Sequence, residues 1–321
     1  MWAIQLDQPG GPEVMEWREV PDPEPGAGQI LVETAAAGVN FIDTYQRSGL
    51  YQVALPYVPG LEGAGTVVAT GSGVDGLVAG DRVAWASCPG SYATAVVAPA
   101  DRVVRVPDGV ELDVAAAVPL QGMTAHYLVE STYAAQPGDT ILVHAGAGGV
   151  GLLLTQLAVA KGVRVITTVS SDEKEELSRG AGAAEVLRYG DDLPEQVRAL
   201  TGGDGVAAVY DGVGAATFEA SLASLRIRGT LALFGAASGP VPPFDLQRLN
   251  PAGSLFVTRP TLAHHVRTRD ELLWRAGDVF TALAGGALHV RVGATYPLDE
   301  AARAHSDLAG RRTTGSIVLL P

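Results

Sequence analysis

One segment constrains this chain more than any other: residues 140–160, TILVHAGAGGVGLLLTQLAVA. The apolar run from Ile141 to His144 predicts a buried strand. It stops at Gly146-Ala147-Gly148-Gly149-Val150-Gly151, which fits G-x-G-x-x-G, and a helical apolar stretch follows at once. In a chain with 40 glycines the bare pattern means little. Strand, glycine turn and helix in succession turn it into a prediction of dinucleotide binding. One glycine allows the tight turn, one lets the backbone approach a pyrophosphate, and one lets helix and strand pack closely. The helix then offers unpaired N–H groups and a positive dipole end to the phosphates.

The rest of the chain supplies a context for that turn. Its 321 residues are enough for about two domains. From residue 1 to about 110, short apolar or alternating runs (QILVET, GTVVAT, DRVAW) are separated by Pro- and Gly-rich turns, which predicts a compact β domain. Beyond Leu112 the texture becomes Ala-rich and helical. Strand patterns then alternate with helical ones: strands at Ile141–Ala145, Arg164–Val169, Glu185–Leu187, Val206–Asp211, Thr230–Gly235 and Ser254–Val257, helices near Gly149–Ala160, Asp172–Arg179, Leu193–Leu200 and Ala215–Ser224. Repeated βα units imply a parallel sheet with right-handed crossovers, of the α/β doubly wound Rossmann class. After Pro260 comes a helical run, Arg269–Ala284. The final apolar strand, Ser316–Leu320, has no place in that parallel sheet and is expected to return to the first domain.

Composition excludes several functions. A hydrophobic fraction of 47% with 18% charged residues is that of a globular chain. A net charge of −13 argues against nucleic-acid or anionic-membrane partners. Cys88 is the only cysteine, so no intrachain disulfide forms. The opening residues, MWAIQLDQPGGPEV, carry neither the basic stretch nor the apolar core of a secretory signal. The longest apolar run is too short to span a bilayer. The cytoplasm is the expected location. No Ser-His-Asp order or serine elbow appears, so hydrolase chemistry lacks its motif. His144, inside the first parallel strand, and His126, in an apolar helix, read as packed core residues. His264 and His265 fall in an expected loop.

Several segments together carry a family resemblance. They are GGPEVMEWREVPDPEPGAGQILVETAAAGVNFIDTYQRSGLY, VPGLEGAGTV, PLQGMTAHYL, VHAGAGGVGLLLTQLA, SLFVTRPTL and RRTTGSIVLLP. With them the chain resembles, over essentially its whole length, the quinone oxidoreductase (zeta-crystallin-like) branch of the medium-chain dehydrogenase/reductase family. The resemblance implies a discontinuous GroES-like catalytic domain, residues 1–122 and 262–321, and a Rossmann cofactor domain, residues 123–261, with the active-site cleft between them. It implies a homodimer joined through the last strands of the Rossmann sheets. Gly146 departs from the pattern, since many relatives carry alanine there, and the departure is expected to loosen the turn slightly.

Zinc-dependent relatives place cysteine and histidine ligands in the first domain. Here those places read Gly38-Val39-Asn40-Phe41 and Gly60-Leu61-Glu62, and the cysteines of a structural zinc lobe are absent. A catalytic zinc needs three protein ligands, and Cys88, read as a small buried residue, does not supply them. No metal is expected.

An NAD-specific site carries an acid about 20 residues past the glycine turn. That position is Ser170, whose hydroxyl tolerates a 2′-phosphate, and Lys174 lies one helical turn on. By resemblance Tyr189 and Arg311 join them, which favours NADPH. Asp172 and Glu173 read as first-turn helix acids, and Lys174 has an alternative reading as a solvated lysine paired with them. Reducing a quinone or enone needs a donor to the oxygen that gains charge. By resemblance Asn40, Tyr45 and Tyr51 face the substrate and nicotinamide, with loop packing the alternative for the tyrosines. Gln121 and Thr124 match nicotinamide contacts, and Arg259 a cleft-side position, or a brace at a boundary. Phe234, Gly235, Phe256 and Val257 are expected to line the nicotinamide end of the sheet. The leading expectation is a zinc-independent, NADPH-dependent reductase of small quinones or α,β-unsaturated carbonyls. The alternatives are an enoyl-thioester or biosynthetic ene reductase on the same scaffold, which the acidity weakens, and a non-catalytic, crystallin-like NADPH-binding protein.

Overall fold

The structure, a computed structural model, describes all 321 residues. The chain opens with the antiparallel pair β1 (Trp2–Gln5) and β2 (Glu16–Glu19), then β3 (Gln29–Val39), α1 (Phe41–Arg47), β4 (Glu62–Thr70), β5 (Arg82–Trp85), β6 (Ala95–Pro99) and β7 (Val103–Arg105). Helices α2 (Leu112–Ala115) and α3 (Pro119–Tyr127) lead to β8 (Thr140–Val143), α4 (Gly149–Ala160), β9 (Arg164–Val169), α5 (Asp172–Gly180), β10 (Glu185–Arg188), α6 (Leu193–Leu200), β11 (Val206–Asp211), α7 (Phe218–Ser224), β12 (Leu225–Leu233) and β13 (Phe256–Thr258). The chain ends with α8 (Leu262–His265), α9 (Arg269–Ala284), β14 (Val292–Pro297), α10 (Ala301–Ala309) and β15 (Ser316–Leu320). It divides into two compact units: residues 1–123 with 266–321, and residues 124–265. No helix is long and apolar enough to cross a membrane.

The first unit is organised by β3. Strand order in its seven-stranded sheet is β14-β15-β3-β4-β5-β7, with β6 also paired to β3. Residues 29–34 of β3 alternate between buried and less buried positions, and residues 36–39 are all buried. The second half, AAAGV, has no period-two pattern, because a strand covered on both faces selects small and apolar residues throughout. Gly38 shows why: a Cβ there would stand 2.4 Å from Glu62 Oε2 and 2.6 Å from the Ala116 carbonyl. The final strand does return to this unit, with β15 antiparallel to β3 and parallel to β14. Ile4, Leu6, Val39, Tyr92, Ile317 and Leu319 form one core here, and Ile30, Val32, Val67, Val83 and Trp85 another.

The second unit is a six-stranded parallel sheet of order β10-β9-β8-β11-β12-β13, the doubly wound order whose direction reverses between β8 and β11. All residues of β11 are buried, as a strand covered on both faces requires. Leu142, Ile166, Val209, Phe218, Leu222 and Leu231 fill one side of this sheet. His264 and His265 close the short helix α8 rather than a loop, and the His265 ring stacks on Tyr127 with centroids 4.2 Å apart. That ring packing is invisible to a local pattern.

Ile166 is fully buried at the centre of this core. Ile166→Ala is expected to cost about 2–5 kcal/mol of unfolding free energy, read as a lower urea midpoint.

Candidate functional site

The glycine turn closes the C-terminal end of β8. Gly148 caps α4 with no side-chain hydrogen bond, and no acid stands in the first turn. The first N–H groups of α4 have no acceptors within the helix, and point their positive end at whatever lies before it. A Cβ on Gly151 would lie 2.3 Å from the Ala145 carbonyl, so only glycine lets the helix start this close to the strand end. Ala145 itself takes a left-handed conformation, φ 54°. Gly146 is packed, not loose: a Cβ there would come within 2.6 Å of Thr167 Cβ and 2.8 Å of Ser178 Oγ. Val150 follows Gly149 in the first turn. This cradle fits a pyrophosphate.

His144 secures the strand beneath the turn. Its Nδ1 is 2.8 Å from Thr168 Oγ1 and its Nε2 3.0 Å from Ser221 Oγ, whose hydroxyl donates to Asp211 Oδ2 at 2.8 Å. Thr217 and the backbone N–H groups of Val213 and Gly214 also donate to Asp211. Burial lowers the His144 pKa, and a neutral ring suits this arrangement. The histidine is a buried tie between β8, β9 and α7, as its place in the strand predicts.

Ser170, Lys174 and Tyr189 come together at the neighbouring strand ends. Lys174 Nζ lies 3.4 Å from Ser170 Oγ. The Tyr189 hydroxyl accepts from the Ala145 N–H at 2.9 Å, which ties it to the glycine turn. Phe234 and Gly235 follow β12 at the same sheet end, where their N–H groups reach the Asp211 carbonyl. Phe256 and Val257 do not join them. Phe256 pairs with Thr230 and Val257 with Leu231, which sets Phe256 roughly 13 Å along the strand from Phe234. They are 60% and 37% exposed on the edge strand. The apolar run Leu255–Val257 hides this, because register is not written in a short run. Arg259 is exposed beyond β13, and its Nη1 donates to the Leu233 carbonyl. Thr124 is buried in α3. Arg311 belongs to the other compact unit, in a left-handed turn (φ 57°) after α10.

In the first unit, Asn40 sits at the N-terminus of α1 and is held from several directions. Its Nδ2 donates to Glu62 Oε2 at 2.7 Å, and its Oδ1 accepts from Gln121 Nε2 at 3.0 Å. Gln121 Oε1 in turn accepts from Ser316 Oγ at 2.8 Å. The Leu120 N–H, in the first turn of α3, donates to Glu62 Oε1 at 2.6 Å. Every donor in this buried chain points toward Glu62, and such aligned bonds polarise one another. One N–H of the Asn40 amide is left for an outside acceptor.

A second chain fixes the Asn40 backbone. Its N–H donates to Asp43 Oδ2 at 2.8 Å, which also accepts from Tyr92 Oη at 3.0 Å. Tyr92 Oη lies 3.0 Å from His305 Nε2, and Arg47 Nη1 3.3 Å from His305 Nδ1. Burial pushes Glu62 up to about 8 and Asp43 up to about 7, against the donors that favour their charged forms. Burial, with Arg47 beside it, drops His305 to about 3. Tyr45 and Tyr51 pair edge to face, 5.4 Å between centroids, and Tyr51 is 41% exposed. Cys88 is buried and its thiol is pushed up to about 12.

Sequence reasoning missed Asp43, Tyr92, His305 and Ser316, and saw Glu62 only as a residue near absent zinc ligands. The spacing Asn40-x-x-Asp43 is a helix-start signal that was open to reading. Nothing local marks His305 or Ser316, which act across more than 190 residues of chain.

Residues 26–108 match the family model described as alcohol dehydrogenase GroES-like domain, and residues 149–272 the one described as zinc-binding dehydrogenase. Together these define a medium-chain dehydrogenase/reductase. A mycobacterial protein solved in complex with NADPH is 57% identical, with a TM-score of 0.98 over 100% of both chains. A quinone oxidoreductase of Pseudomonas aeruginosa is 47% identical over 99% of each chain. A 2-haloacrylate reductase of a Burkholderia species is 42% identical over 99% of this chain and 98% of its own. The chain belongs to the quinone oxidoreductase branch of the medium-chain dehydrogenase/reductase superfamily. Despite the metal in one model's description, no group of three or more His, Cys, Asp or Glu side chains is placed to hold a metal ion.

The raised carboxyl groups have a consequence for stability. Between pH 4.5 and 8 the folded state holds protons that the unfolded chain has released, so stability falls as pH rises through that window. Glu62→Gln is expected to flatten this slope, leaving the smaller part due to Asp43; unfolding midpoints measured from pH 5 to 9 read it out.

Proposed function

We propose that the protein is a zinc-independent, NADPH-dependent reductase of small quinones and α,β-unsaturated carbonyls. The observation that carries the reading is the joint presence of a capless glycine turn at α4, with Ser170, Lys174 and Tyr189 at the adjoining strand ends. A hydroxyl, an ammonium group and a phenol suit a 2′-phosphate, where a carboxylate would repel it. The relatives support the same reading: one was solved with NADPH, one is named for quinones and one for a haloacrylate, an unsaturated acid.

NADPH, when bound, supplies the hydride. Asn40 is the residue we assign to the substrate oxygen. Its amide is held at one N–H by Glu62 and at its oxygen by Gln121, so the remaining N–H has a fixed direction. A preorganised donor stabilises the charge that develops on the oxygen without reorienting. In the first unit Tyr45 and Tyr51 are the further residues we assign to substrate, with Gln121 acting through Asn40; in the second we assign Thr124 to the nicotinamide and Arg259 to substrate. The donor set favours chemistry without zinc, since an amide and a leucine stand where the ligands of zinc relatives fall. A reducing cytoplasm suits the lone thiol of Cys88.

We also assign a homodimer. β13 is an edge strand with its outer side unpaired, and Phe256 and Ile227 are 60% and 75% exposed beside it. Apolar side chains on an open strand edge favour pairing with a second edge.

Purified protein is expected to oxidise NADPH, in preference to NADH, with a small quinone or enone as acceptor. Asn40→Ala should lower kcat about 100-fold with little change in the KM for NADPH. A broad acceptor panel that gives no turnover would reject the reductase reading. The native mass should be twice the 33.0 kDa of the chain, and Phe256→Glu should shift it toward monomer; sedimentation velocity measures both.

A further inference from the structure

Next to Ser170 and Lys174, α5 begins with Asp172, Glu173 and Glu175. Carboxylates so close to the proposed phosphate site would repel a dianion. β10 carries the answer. Arg188 pairs in register with Val169, the residue before Ser170. Its Nη2 donates to Asp172 Oδ1 at 2.6 Å and to Glu175 Oε2 at 2.8 Å. The other oxygen of Glu175 accepts from Arg179 Nε at 2.9 Å. Arg188 Nη1 is buried without a hydrogen-bond partner. The next residue, Tyr189, is the one bonded to the Ala145 N–H.

From this we infer that Arg188 determines cofactor specificity, by neutralising Asp172 and Glu175 so that a 2′-phosphate is accepted beside Ser170 and Lys174. The inference rests on the NADPH reading above. Arg188 touches the two acids, so it acts through them. Screening confines its field to about 8 Å, so the effect falls on the adjoining site and not on the rest of the surface. The side chains of Arg188 and Asp172 are 39% and 100% exposed. Exposed ion pairs of this kind contribute little to folding, and what the arrangement changes is the local potential.

The test is calorimetric binding of NADPH and of NADH to three proteins: wild type, Arg188→Gln, and Arg188→Gln with Asp172→Asn and Glu175→Gln. Arg188→Gln should raise the Kd for NADPH about fivefold to tenfold and leave that for NADH within about twofold. The triple variant lacks the same ion pairs, so a purely structural clamp would stay broken in it. The charge account instead expects NADPH affinity restored to within about twofold of wild type. Equal weakening of both nucleotides by Arg188→Gln, no effect on either, or a triple variant as weak as the single one would overturn the inference while the NADPH assignment stands. A wild-type protein that binds NADH as tightly as NADPH overturns both.

Discussion

Burying a carboxyl group demands hydrogen-bond partners, and each compact unit of this protein is built around one. In the first unit it is Glu62. Its partners come from places far apart in the chain: Asn40 at the start of α1, the Leu120 N–H in α3 and, through Gln121, Ser316 at the start of β15. The bonds converge on one acid and thereby link β15, α3 and α1. Gly38 makes the room, since any side chain there would displace the Glu62 carboxylate. In the second unit Asp211 plays the corresponding part. Ser221, Thr217 and two backbone N–H groups donate to it, and His144 extends the network to β9. Removing one partner would leave a buried donor or acceptor unsatisfied, which costs more than the bond itself contributes.

The same accounting shapes the site chemically. An amide whose oxygen and one N–H are already committed has a single direction left to offer. Asn40 is thus a stiff donor, stiffened again where Asp43 accepts its backbone N–H and is itself held by Tyr92, beside His305 and Arg47. At the other end of the proposed reaction the problem is an anion on a protein of net charge −13. The solution is local: a helix N-terminus free of acids at α4, one of the chain's two lysines at residue 174, and arginines that occupy the nearby carboxylates. Local potential, not net charge, decides where such a ligand settles.

Much of the fold was legible because it follows from short-range periodicity. The glycine turn, α4 over Gly149–Ala160, α6 over Leu193–Leu200 and α9 over Arg269–Ala284 are read from residues that are neighbours in sequence. The second half of β3 was not, since AAAGV loses its alternation when both faces are covered. Phe256 and Val257 misled for a related reason: an apolar run names a strand, but only the pairing with Thr230 and Leu231 says how far along the sheet it sits.

The residues by themselves determined a β-rich segment, a doubly wound α/β segment with a dinucleotide turn, and a first domain poor in metal ligands. These are properties of local pattern and of which side chains are present. The tertiary structure alone decided that Ser316 and Gln121 aim Asn40 at Glu62, that His305 stands beside Tyr92 and Arg47, and that Arg188 meets the acids of α5. Hydrogen bonds between residues 13 to 258 positions apart depend on strand register and packing, and no local pattern carries that information.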